Sequence, residues 1–303
     1  MDAVIEMRNV TKRFKNKTAV NGVSLDIMRG SVVAILGPNG AGKTTTISML
    51  LGLIEPTEGT VKLFGQNPSH LQVRQRIGAM LQDVSIIDML KVHEVIEMFR
   101  SYYPKPLAME RLIELTGLSK PELNMYAEKL SGGQKRRAGF ALAMAGDPEL
   151  VFFDEPTVGM DVAARRRFWE QVRVLVSEGK TVLFTTHYLQ EADDAADRII
   201  LFHQGEIVED GKPEEIKARL LKKSVSFRLE GDTAAACASI RLWPNVSDCD
   251  LIGGRIHIRT DDTDGVLAAM FERQLPARDI RIDQGRLDEA FEQLTMSNQE
   301  VAY

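Results

Sequence analysis

The sequence predicts an α/β fold: a parallel, helix-flanked sheet, followed by a small α+β unit of ferredoxin-like pattern. Three observations carry this. Residues 32–44 run from an unbroken apolar strand through a glycine loop into a helix. Beyond residue 133, apolar strands alternate with helices, the order that builds a parallel sheet. Past Lys223 the composition changes: residues 224–303 contain no lysine and carry 8 Arg against 14 Asp and Glu, while the 303-residue chain has a net charge of −5. That break divides the chain into an expected first domain (1–222), an accessory domain (223–297) and a tail (298–303).

Taken in order, "AVIEMRNVTKRF" and "TAVNGVSLDI" read as β-branched strands, and "SVVAILG" as a strand buried on both faces. A helix starts near Gly42. Residues 88–120 lose the strand pattern; "VHEVIEMFRSYY" and "AMERLIELTGL" space their apolar residues by three and four, so a helical insert is expected over about 84–145. Then "GFALAMAGD" reads as helix, "ELVFFDEP" as buried strand, "ARRRFWEQVRVLVSEG" as amphipathic helix and "KTVLFTTH" as buried strand. From Ser224 the order is strand "SVSFRLE", helix "TAAACASI", strands "VSDCDLI" and "RIHIRT", helix "DGVLAAMFERQ" and strand "ARDIRID". This βαββαβ order is the split-βαβ pattern. A closing helix, "RLDEAFEQLT", follows.

The totals exclude several classes. At 44% hydrophobic and 27% charged, the composition is that of a globular protein. Apolar runs such as Val32 to Leu36 and Leu150 to Phe153 fall far short of the roughly 18–20 residues that span a bilayer. "MDAVIEMRNVTKRF" does not read as a secretory signal, so a cytoplasmic location is expected. A net negative chain without a basic face argues against nucleic-acid binding. Cys237 and Cys249, with no His or Cys partner at metal-ligand spacing, read as reduced thiols.

Gly37-Pro38-Asn39-Gly40-Ala41-Gly42-Lys43-Thr44 fits the phosphate-loop pattern G-x-x-x-x-G-K-[ST] without departure. The loop glycines let backbone N–H groups turn inward around a phosphate, and the helix adds its positive dipole end. Gly37, Asn39, Gly40, Ala41, Gly42, Lys43, Thr44 and the following Thr45 are the expected nucleotide contacts, with Thr44 also expected to ligate Mg²⁺. "LVFFDEP" ends in Asp154 and Glu155 at the carboxyl end of its strand, where parallel sheets gather ligands. Asp154 is expected to hold Mg²⁺ and Glu155 to act as general base toward water. His187 ends another strand on the same edge, where it can sense a γ-phosphate. Gln82 follows a short apolar strand and is expected to ligate Mg²⁺ or orient the attacking water.

A second glycine stretch, Leu130-Ser131-Gly132-Gly133-Gln134, opens another helix and offers another anion site. Read locally, Ser131 is either a helix cap or an anion ligand. The ordered set Gly37–Thr44, Gln82, Leu130–Gln134, Asp154-Glu155, Asp161 and His187 resembles the ATP-binding subunit of ABC transporters over residues 1 to about 220. That resemblance implies a P-loop ABC ATPase fold with an antiparallel β subdomain and a helical insert. It further implies ATP and Mg²⁺ as cofactors, and a head-to-tail homodimer sandwiching two ATP. In that dimer Ser131, Gly132, Gly133 and Gln134 contact the partner's nucleotide, Asp161 bridges subunits, Phe14 stacks on adenine, Gln82 is the Q-loop residue and His187 is the switch histidine. The N-terminal core is similar to the branch that serves ABC-2-type permeases, including daunorubicin-resistance exporters. A separate membrane permease is thus implied, holding the chain at the inner face of the membrane through contacts near Val84 to Val95. "GRLDEAFEQLT" is similar to an element that closes many such subunits, and Leu287, Phe291 and Leu294 equally suit a helix packing its own domain. The other reading is a soluble regulatory ATPase whose C-terminal domain senses a ligand.

Overall fold

The computed structural model describes residues 3–15, 17–82, 86–220, 223–229 and 231–284. In chain order, the first part comprises β1 (Ala3–Phe14), β2 (Lys17–Met28), β3 (Val32–Leu36), α1 (Lys43–Leu50), β4 (Glu58–Leu63), α2 (Leu71–Arg74) and β5 (Ile77–Met80). The helical segment follows as α3 (Val92–Arg100), α4 (Met109–Thr116), α5 (Lys120–Leu123) and α6 (Gly132–Met144). Then come β6 (Leu150–Asp154), α7 (Val162–Ser177), β7 (Thr181–Thr186), α8 (Leu189–Ala195), β8 (Arg198–His203), β9 (Glu206–Gly211) and α9 (Pro213–Leu220).

Hydrophobic patterning sorts the strands into two sheets. β1 and β2 mix buried and exposed residues, and they pair antiparallel with β4 on the far side of β1. β3, β6 and β7 are buried at every position, with apolar centres and polar residues confined to the ends of β6 and β7, as suits central strands covered on both faces. They lie in a six-stranded sheet of order β5-β6-β7-β3-β8-β9, parallel except for β9. One face of β6 and β7 is sealed by a run of aromatic contacts. Phe140 of α6 meets Phe153 at 5.6 Å, Phe153 meets Phe168 of α7 at 5.2 Å, and Trp169 meets Phe184 at 4.5 Å. Such pairs contribute about 0.5–1.5 kcal/mol each beyond their area.

α3 stops at Arg100, short of the "VHEVIEMFRSYY" span expected from periodicity. Pro104 explains the early stop, since proline disfavours helical backbone in the residue before it. The expected strand "KTVLFTTH" is β7, which ends at Thr186 and leaves His187 one residue beyond the sheet.

The second part holds β10 (Lys223–Leu229), α10 (Thr233–Ile240), β11 (Asp248–Ile252), β12 (Arg255–Thr260), α11 (Thr263–Glu272) and β13 (Ala277–Gln284). The sheet order is β11-β12-β10-β13, each neighbour antiparallel, so two βαβ units interleave. Val225, Phe227, Ile256 and Ile258 bury against Ile240, Val266 and Met270. Asp232 and Asp262 cap the two helices. Cys237 and Cys249 are free and buried, and burial pushes the Cys249 thiol up. Packing divides the chain at Pro213/Glu214, ahead of the composition break at 222/223, so α9 from its second residue onward belongs to the second part. The expected closing helix "RLDEAFEQLT", with Leu287, Phe291 and Leu294, lies outside the described residues, as does the tail.

Glu149, just before β6, ties together segments distant in sequence. It accepts from Arg76 at 2.5 Å and from Arg29 at 2.6 Å. The Arg76 hydrogen bonds hold its carboxyl down to about 2, against burial, with Arg29 assisting. A carboxyl depressed in the fold stabilises it above its unfolded value near 4.5, and that contribution fades as pH falls through about 2. Glu149→Gln is therefore expected to cost about 1 kcal/mol at pH 7, the modest size reflecting solvent screening. In urea unfolding the gap between wild type and variant should shrink below pH 4.5.

Candidate active site

The phosphate loop joins β3 to α1, and its shape is fixed by its own chain. Gly42 has φ +108°, and a Cβ there would sit 2.5 Å from the Ala19 carbonyl oxygen, so only glycine fits. Lys43 is buried and donates to the Gly37 and Pro38 carbonyls at 2.7 and 3.1 Å. Burial lowers its pKa, and the charges of Glu155 and Asp154 oppose that shift.

The parallel register brings the carboxylates to this lysine. β3 pairs with β7 and β7 with β6, Asp154 opposite Thr185, so all three strands end at one edge. Asp154 is almost fully buried, accepts from the Thr185 hydroxyl, and lies 3.4 Å from the Thr44 hydroxyl. Glu155, immediately after β6, has φ +49°. This left-handed backbone is unfavourable for a side chain by roughly 1–2 kcal/mol. Its N–H is held by both the carbonyl (3.2 Å) and the hydroxyl (3.0 Å) of Thr185. The Glu155 carboxylate then meets Gln82 Nε2 at 3.3 Å through one oxygen and His187 Nδ1 at 3.1 Å through the other. Gln82, Glu155 and His187, scattered over the sequence, form one chain of contacts.

Phe14, Asn39, Gly40, Gly42, Lys43, Thr44, Thr45, Gln82 and Glu155 line a cavity of about 300 Å³, together with Lys17 and Ala19. Phe14 is half-exposed at its edge with Lys12 Nζ 5.1 Å above the ring. The second glycine stretch is elsewhere. Ser131, Gly133, Gln134 and Asp161 line another cavity of about 510 Å³, and none of them reaches the first. Both readings of Ser131 meet at its hydroxyl: it accepts the Gln134 N–H at 3.4 Å as a helix cap, with its own proton left to donate. Gln134 closes the capping box through Oε1 on the Ser131 N–H at 2.8 Å, and Asp161 caps α7 on the Ala164 N–H at 2.7 Å.

Gly132 and Gly133 contrast with Gly42. Their backbone is ordinary, and a Cβ at either would meet nothing within 4 Å. Two glycines in a first helical turn cost about 0.5–1 kcal/mol each relative to alanine, and among the described residues no contact requires them. Thr185 is the residue that motif reading misses; its hydroxyl is one of three in "TVLFTT", so composition alone does not single it out.

The family model described as ABC transporter matches residues 20–158. A daunorubicin resistance ATP-binding protein of Streptomyces coeruleorubidus is 33% identical over 99% of this chain and 98% of its own length. The chain belongs to the ABC transporter family. It is an ATP-binding cassette ATPase, with the α/β fold of that family. A Nod factor export ATP-binding protein I of Burkholderia orbicola (strain AU 1054) is 40% identical, covering 70% of this chain and 71% of the relative. Among solved structures, a dimeric ATP-binding cassette in a post-hydrolysis state bound to ADP and Pi is 28% identical, with a TM-score of 0.64 over 69% of this chain and 98% of that one.

The glycine contrast is measurable. Gly133→Ala is expected to leave urea-unfolding stability unchanged or raise it by about 0.5–1 kcal/mol. Gly42→Ala should lower it, because its Cβ strikes backbone; a marked loss in Gly133→Ala would show that α6 itself needs the glycine.

Proposed function

We propose that the chain is the ATP-hydrolysing subunit of an exporter, working as a head-to-tail homodimer around two ATP. The observation that carries this reading is the separation of its two anion sites: the phosphate loop and Leu130–Gln134 line different cavities. Each set is half of a site, and a second copy in reversed orientation supplies the other half. The dimeric cassette bound to ADP and Pi supports that arrangement.

In each composite site Lys43 and the loop N–H groups hold the phosphates, Phe14 stacks on adenine, and Ser131 with Gly132 and Gly133 of the partner copy covers the γ-phosphate. Glu155 takes the proton of the attacking water, a role that contributes about 10²–10⁴ in rate. His187 and Gln82 fix the rotamer of that carboxylate and couple it to the phosphate. The Thr44 hydroxyl, the Asp154 carboxylate and the Gln82 amide are hard oxygen donors of the kind Mg²⁺ takes beside nucleotide phosphates, and the Thr44–Asp154 approach brings two of them together. When bound, Mg²⁺ supplies neutralisation of phosphate charge.

Transport requires a membrane partner, for which an ABC-2-type permease is the reading the relatives support. Among the described residues no helix is long and apolar enough to cross a membrane. Ile87 and Met89 are exposed between β5 and α3, where a permease can seat, whereas Val92 and Val95 are buried in the core; Val84 and Ser85 lie outside the described residues. The chain then works on the cytoplasmic face of the membrane. A drug, antibiotic or lipid-like cargo is favoured by the export and resistance names of the relatives. The boundary at 222/223 remains our division between cassette and accessory domain. The regulatory-sensor alternative is not favoured, because the resistance ATP-binding protein matches through the accessory domain too.

Glu155→Gln should lower phosphate release at least about 10²-fold while an ATP-bound dimer accumulates in gel filtration. Unchanged turnover would remove Glu155 from the base role. Ser131→Arg should abolish hydrolysis yet leave nucleotide affinity of the monomer within about twofold by fluorescent-nucleotide titration, since the contact is made in trans.

A further inference from the structure

The first turn of α6 is held in place by a carboxylate that lies outside every motif of the family resemblance. Glu122, on the short α5, has a side chain only 13% exposed. Its Oε1 accepts from Gln134 Nε2 at 3.1 Å and from the Arg137 guanidinium. Its Oε2 accepts from the N–H and the hydroxyl of Ser119, each at 2.7 Å. Burial opposes ionisation of this carboxyl, but the Ser119, Gln134 and Arg137 donors hold it below the ordinary value, so it stays charged near neutrality.

The network has a direction. Gln134 has its Nε2 on Glu122 and its Oε1 on the Ser131 N–H, so both ends of the amide are committed. This is the amide orientation in which each contact joins a donor to an acceptor. Ser131 is thereby fixed through its backbone by Gln134, and Gln134 by Glu122. An exposed ion pair would contribute little, but a part-buried carboxylate with four donors fixes a geometry, and a displacement of about 1 Å at a reacting group can cost 10²-fold in rate.

We propose that Glu122 is the positioning residue of the signature stretch: through Gln134 it orients the Ser131 hydroxyl and the Gly132-Gly133 backbone toward the nucleotide of the opposing copy. Gln134 is a strut in this arrangement, not a phosphate contact. The inference rests on the composite-site reading above. It also makes α5 and the start of α6 one mechanical unit, so that a movement of α5 repositions the signature.

Complementation between chains tests it. Glu122→Ala homodimers should lose at least about tenfold in ATP turnover, with fluorescent-nucleotide affinity of the monomer within about twofold of wild type. Mixing Glu122→Ala with Lys43→Ala should restore turnover, because one of the two sites then joins an intact phosphate loop to an intact signature. Ser131→Arg mixed with Lys43→Ala is run beside it. If that mixture recovers while the Glu122→Ala mixture does not, or if Glu122→Ala homodimers turn over like wild type, the Glu122 proposal is overturned and the composite site stands. If the Ser131→Arg mixture fails to recover, the composite reading falls and the Glu122 proposal falls with it. Should Glu122→Ala not fold by circular dichroism, Glu122→Gln carries the same comparison. It still accepts from Gln134 but is uncharged toward Arg137, and its homodimers should lose less turnover than those of Glu122→Ala, with recovery in the mixture.

Discussion

The catalytic edge depends on one side chain and its backbone, Thr185. Its hydroxyl donates to Asp154 and accepts the Glu155 N–H, and its carbonyl accepts that N–H as well. These bonds offset the left-handed backbone of Glu155. Without them the chain after β6 relaxes toward an ordinary conformation, and the Glu155 carboxylate leaves Gln82 and His187. The strain is affordable only because β6 and β7 are buried at every position and bonded in fixed parallel register.

The same edge sets the electrostatics. Lys43 is buried close to two carboxylates, and burial weakens its hold on its proton while Glu155 and Asp154 strengthen it. A phosphate brought to the loop meets a cation already desolvated and already aimed, with its Nζ on the Gly37 and Pro38 carbonyls. Preorganisation of this kind is what makes a fixed charge effective in a site from which water is excluded.

Much of this was legible in the sequence. Mainly apolar runs mark β3, β6 and β7 in the sequence, and β-branched stretches mark β1 and β2. The motif residues Lys43, Asp154, Glu155, Gln82 and His187 could be placed because each ends or closely follows a strand, or opens a helix. Thr185 and Glu122 could not be found this way. Each acts through partners 30 or so and 12 to 15 residues away, at positions set by sheet register and by helix packing, which no local spacing encodes. Motif order alone gives Gln134 and Asp161 outward-facing roles. The geometry gives both an inward role as well, closing the first turns of α6 and α7. A capping side chain and a ligand-contacting one have the same sequence signature, because both satisfy N–H groups at a helix start.

That ambiguity bears on the proposed composite site. α1 is preceded by a glycine and α6 opens with two, and both starts offer N–H groups that suit an anion, but they differ in what holds them. The loop before α1 is determined by its own chain, down to the backbone contact that forbids a Cβ at Gly42. The start of α6 carries two glycines with open space around them, at a conformational cost that a lone chain does not recover. A site completed only by an opposing surface must leave that surface bare until it arrives. The glycines keep it bare, and the Ser131 cap satisfies the helix end meanwhile without consuming the hydroxyl proton. On the proposed composite site, nucleotide binding is a property of one chain and hydrolysis a property of two, and the difference between them lies in which glycines the chain itself requires.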